Sequence, residues 1–150
     1  IFVYWFNLHT HKMTFQQVLD MVRDTAKAVN PTGTFIHGRN SDGANSSALP
    51  YPRIMLYPFT QDREPNDTFR RTSNLLFSFV EKDEGQQDEA IREGIIARMD
   101  ILSQDFLDRL EIDYETDVQL TAIRSEPQYQ ILEGVSGYSL SITIKSQVGC

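Results

Sequence analysis

Three places in this chain hold side chains that could do chemistry. His9-Thr10-His11 puts two imidazoles close together, as a zinc site would, but no third ligand follows at a metal-site spacing. Asp62, Glu64, Asn66 and Asp67 crowd oxygen donors into one short stretch. A calcium loop would also need a turn glycine and a distal bidentate Glu, and neither is there. Phe69-Arg70-Arg71 is a paired cationic site beside an aromatic ring, suited to an acidic partner surface. His37 stands alone at the end of a β-prone run, a surface or capping histidine.

The carboxylates are numerous, but they sit among other carboxylates. A catalytic pair needs a partly desolvated setting that splits its two pKa values. The acids of residues 86–117 read instead as a solvated face. No Gly-x-Ser-x-Gly elbow, P-loop or Gly-x-Gly-x-x-Gly occurs, and the one cysteine, Cys150, is the last residue. A disulfide within the chain and a cysteine-rich zinc site are thereby excluded. The residues predict no catalytic, cofactor-binding or metal site, and a chain that is not an enzyme.

The bulk numbers describe one soluble domain of 150 residues, 40% hydrophobic and 23% charged. The net charge of −7 is unevenly placed. Residues 1–80 carry eight Lys/Arg against six Asp/Glu, whereas residues 81–150 carry six against fifteen. Such an acidic half is the opposite of a nucleic-acid footprint, though DNA could pass it without sticking. Residues 1–12 are read as an N-terminal arm or a non-native extension ahead of a single domain over 13–150. Ile1–Phe6 is too short to span a bilayer and has no basic flank, so no membrane role is expected.

The elements that must position these groups are readable by period. Thr14 and Gln17 fit a capping box, and Phe15, Val18, Leu19, Val22 and Ala26 make one helical face over 14–29, stopped at Asn30-Pro31. Short strands are predicted at 34–37 and 52–59, the second ended or edged by Pro58, with a loop over 39–50. Residues 60–72 read as a long loop or the tip of an extended hairpin, and 74–80 as a central strand. An acidic turn over 81–87 leads into a helix over 86–110, whose stripe is Ile91, Ile95, Met99, Leu102, Phe106 and Leu110. Strands are expected at 118–123 and 138–145, with Gly134 and Gly137 bracketing the turn before the second. The sum is an α+β single domain of order α-β-β-β-α-β-β, a mostly antiparallel sheet with both helices on one face.

This order resembles that of phage tail-terminator and tail-completion proteins, the subunits at the neck of a tailed bacteriophage. The matching features are the opening helix at Thr14–Val29, the proline-marked strand at Pro52–Phe59, the polar excursion over 60–72 before Asn74–Val80, the long helix over 86–110 and the closing strand pair. The resemblance covers about residues 13–148 and is one of order and size. It implies a structural virion protein assembled in the bacterial cytoplasm: a homo-oligomeric ring, commonly a hexamer, without catalysis or cofactor. Its partners would be other neck or tail-tube proteins, with DNA passing through the lumen. The interface expected on this reading comprises Arg63, Phe69, Arg70 and Arg71, the acidic helix face at Glu89 and Glu93, and Phe2 and Trp5 of the arm. Two other classes stay open: a cytosolic acidic protein-binding module of the immunity or inhibitor type, and a small enzyme with a dispersed site.

Overall fold

In the computed structural model, residues 13–38, 49–64, 67–83, 89–132 and 134–146 are described, with backbone alone at 64, 67–70 and 130–132. Phe2 and Trp5 therefore lie outside the described residues, as do His9, His11, the 39–48 part of the expected loop and residues 84–88.

The chain opens with helix α1, Phe15–Val29. Its capping box is complete: the Gln17 N–H donates to Thr14 Oγ1 at 3.2 Å and the Thr14 N–H donates to Gln17 Oε1 at 2.9 Å. Strands β1 (Thr34–His37) and β2 (Arg53–Leu56) follow and pair in parallel. β2 stops two residues before Pro58, which has no N–H to continue a ladder. Then come β3 (Thr60–Glu64), β4 (Asp67–Lys82), helix α2 (Glu89–Asp113), β5 (Val118–Leu132) and β6 (Val135–Ser146).

The architecture is α+β, with the order α-β-β-β-β-α-β-β. The sheet runs β1-β2-β4-β6-β5, β3 pairs with β4 off that path, and every pairing but β1–β2 is antiparallel. The extra strand is the polar stretch over 60–64, which takes up the hairpin option. It has no apolar face of its own and is held by the backbone ladder from Thr60↔Asn74 to Arg63↔Arg71. β5 also runs nine residues beyond the expected end at 123, through Pro127, which an edge strand tolerates.

Both helices cover one face of the sheet, burying Val18, Val22, Ile95, Met99, Phe106 and Leu110 against alternate residues of three strands. From β4 these are Leu75, Phe77 and Phe79; from β6, Leu140, Ile142 and Ile144; from β2, Ile54 and Leu56. The Phe106 ring sits 5.0 Å from Phe77 and 5.7 Å from Phe79, tilted to one and nearly edge-on to the other. On α2 the buried stripe includes Ser103 and Leu107, while Ile91 is 41% exposed and Leu102 is only half-buried. Ile91 thus falls off the buried stripe, while Leu102 packs against the core from a half-buried position.

A smaller cluster, Met55, Val80 and Val135, lies on the opposite face. Beside it Gly137 is not part of a turn: it sits within β6 opposite Val80, where a Cβ would collide with the Phe79 carbonyl. The turn itself uses Gly134, at φ 74°, a conformation that side chains with a Cβ disfavour.

This packing ranks the α2 residues by cost of truncation. Phe106→Ala should lose about 3–5 kcal/mol, and the half-buried Leu102→Ala about 1 kcal/mol. Urea midpoints of the two variants check it; the reverse ranking would mean that α2 is rotated on the sheet.

Candidate functional site

Of the residues expected at an interface, the structure brings a subset together on one hairpin. Arg63 lies in β3 and Arg71 in β4, and the register sets them directly opposite one another. Arg63 is exposed and Arg71 half-buried. Phe69 and Arg70 are neighbours in β4, placed by backbone alone. Within β4, pairing with β6 begins at Thr72, while Arg71 and Asp67 have their partners in β3, so the hairpin outruns the rest of the sheet. Like charges directly opposite repel across an antiparallel pair. Among the described residues, no carboxylate is paired with either arginine.

Glu89 and Glu93 belong to a different surface. Four residues apart on α2, they share one exposed side of the helix. Asp100, Asp105, Asp108 and Glu111 are exposed further along it. Some of the helix's cations are already engaged: Arg98 pairs with Glu81 at 2.8 Å and Arg109 with Asp113 at 2.7 Å. The hairpin arginines and the acidic helix therefore do not meet within one chain.

The described acids of the oxygen-rich stretch lie in strands, and Asn66 is outside the described residues. Asp62 and Glu64 are in β3 and Asp67 is in β4, with the Asn74 amide donating to Asp62 at 3.4 Å. Among the described residues, no three His, Cys, Asp or Glu side chains gather as a metal site would need. His37 sits against Phe59 and Phe15, whose rings stack at 4.5 Å, and its Nε2 is buried without a hydrogen-bond partner. Burial, and then the nearby Arg23 charge, hold the His37 pKa below its ordinary 6.5.

Three polar groupings escaped the sequence reading. Asp83 is buried at the end of β4, accepts from Ser136 Oγ at 2.6 Å and has Arg92 Nε 3.8 Å away, tying β4, β6 and α2 together. On the face away from the helices, Ser78 joins Tyr57 and Gln128 at 3.0 Å each, a hydrogen-bonded row across the sheet. Tyr114 lines a concavity of about 290 Å³ with Asp20, Asp24 and Asp117. Burial and then Asp24, Asp113 and Asp117 raise its hydroxyl pKa, keeping it neutral. The serine and carboxylate of the first are both fully buried, out of reach of a substrate. No sequence period could have found the three groupings, because each joins residues from separate elements.

No protein-family model matches this sequence, and no curated protein matches it in sequence.

His37 makes stability depend on pH in a definite direction. Below 6.5 the unfolded chain takes up a proton that the folded chain resists, so the unfolded state gains. The His37 contribution is complete above about pH 6.5 and is lost as pH falls from there through the lowered folded value. Urea midpoints measured across this window should fall less steeply for His37→Phe than for the natural chain; identical slopes would remove His37 from the account.

Proposed function

We propose that this chain is a structural, non-enzymatic subunit of a homo-oligomeric ring, in the tail-terminator or tail-completion role at the head–tail junction or tail end of a phage virion. The hairpin carries the assembly part of this reading. It extends past the sheet and sets Arg63 opposite Arg71, a repulsion that an acidic surface would relieve. The exposed Glu89 and Glu93 side of α2 is such a surface. A contact between the hairpin of one copy and the helix of the next is head-to-tail, and head-to-tail contacts close into rings when their rotation permits. The phage part rests on the resemblance in element order, now with β3 and β4 as a hairpin where the polar excursion was expected. The acid excess of residues 81–150 suits a lumen through which DNA slides by repulsion rather than binding. Among the described residues, no helix is long and apolar enough to cross a membrane.

Light scattering on the purified chain, with negative-stain images of any large species, tests this. Closed rings, hexamers by expectation, should form alone or on tail tubes. Arg63→Glu with Arg71→Glu should reduce the mass to the smaller units from which the ring is built. A ring that survives the double substitution unchanged would dismiss the hairpin, and a chain that forms no ring even with tubes would favour the module that holds a basic partner.

A further inference from the structure

We propose that the outer edge of β5 is a two-fold contact that pairs with the same edge of a second copy. The inference does not rest on the ring reading: it uses different residues and a different kind of symmetry.

β5 is an edge strand, bonded to β6 on one side. Its middle is bare on both faces. Residues 121–127 are all exposed, including Ile123 at 51%, and Tyr129 beyond them is 61% exposed. The helices that bury Ile142 do not reach its strand partner Ile123. A long exposed edge invites another strand, and proteins usually blunt such edges with prolines, like charges or short length. β5 is 15 residues long; Pro127 and the register shifts at 120–122 and 128–132 interrupt it, and the charges in its bare stretch, Arg124 and Glu126, are opposite in sign and pair with each other at 3.7 Å within one chain.

Their positions decide the occupant. Consider two copies of β5 paired antiparallel about Ser125. Arg124 of each copy then stands opposite Glu126 of the other, twice, by symmetry. Ile123 stands opposite Pro127, also twice. The first pairs lie on the face away from the helices, where Arg124 and Glu126 oppose Ser141 and Ser139 of β6. The second lie on the helix side, where Ile123 opposes Ile142. Opposite charges directly across strands attract, so the sequence is complementary to itself in this one register. Pro127 agrees with it. A proline is held in a sheet where its missing N–H faces the free edge, and by the two-residue period Ser125 and Ile123 point their N–H groups to that same edge. The central Ser125 pair can then exchange two backbone hydrogen bonds, and each Ile123 N–H can donate to a Pro127 carbonyl. At the far end of the strand order β1 offers no equivalent, having four residues, all half-buried, and β3 is only five residues long.

The contact closes on itself, so it makes dimers, or joins two rings face to face, rather than extending a ring. The test is a charge exchange, read by sedimentation velocity in a background carrying Arg63→Glu and Arg71→Glu, which removes the head-to-tail contact. In that background the chain should form a two-subunit species that dissociates on dilution. Arg124→Glu and Glu126→Arg should each weaken it about tenfold, because two symmetry-related pairs turn repulsive at once. The two substitutions together should restore it. A one-subunit mass at every concentration would overturn the proposal, as would single variants that leave the dimer unchanged or a double variant no tighter than the singles. Ring formation by the chain without the hairpin substitutions is scored separately, so neither result decides the other.

Discussion

The arrangement depends on one aromatic contact, Phe106 of α2 set between Phe77 and Phe79 of β4. All three rings are completely buried. Because the two β4 rings are two residues apart, they point to the same side of the sheet and fix which face receives the helix. A shift of β4 by one residue would present Leu76, Ser78 and Val80 to α2 instead, trading two phenyl rings for a serine and smaller aliphatics. The ladder to β6 is locked for the same reason: Phe77 and Phe79 oppose Leu140 and Tyr138, which are part of or packed against the same core.

The far face follows a different logic. It has little to bury, and its polar groups are satisfied within the sheet. Ser78 is fully buried yet bonded to Tyr57 and Gln128, and Asn74 is bonded on either side to Asp62 and Thr143. Such rows hold strands in register. They leave Leu76 at 43% exposure, although Met55, Val80 and Val135 on the same face are buried. The Asp83–Ser136–Arg92 group does comparable work at one end, where a buried carboxylate must be partnered or it destabilises the fold.

What was legible in the sequence was whatever had one dry face. Ile95, Met99, Phe106 and Leu110 kept the helical period because the sheet lies against them, and Leu140, Ile142 and Ile144 alternated because helices cover one side only. The capping box was legible because both of its partners are local. Residues 60–64 and 123–129 gave no period, since neither stretch has a buried face to impose one. For the hairpin the composition was right and the pairing was missed. Arg70-Arg71 stood out as neighbours in sequence, but the geometry couples Arg71 to Arg63, through a register that also has to absorb an irregularity beside Glu64. Gly137 likewise looked like turn chemistry, because the carbonyl that forbids its side chain belongs to a strand nearly sixty residues earlier.

The order of strands also has a consequence for synthesis. β6 lies between β4 and β5 in the sheet but follows both in the chain. As the polypeptide leaves the ribosome, β4 can pair early with β2 and β3, while its other edge waits for residues 135–146. Until then Phe77 and Phe79 have no strand neighbour on that side, and β5 has no place in the sheet. The nascent chain therefore carries an incomplete sheet with an aromatic face until residues 135–146 have been made, the interval in which chaperone binding or premature association between copies is most favoured.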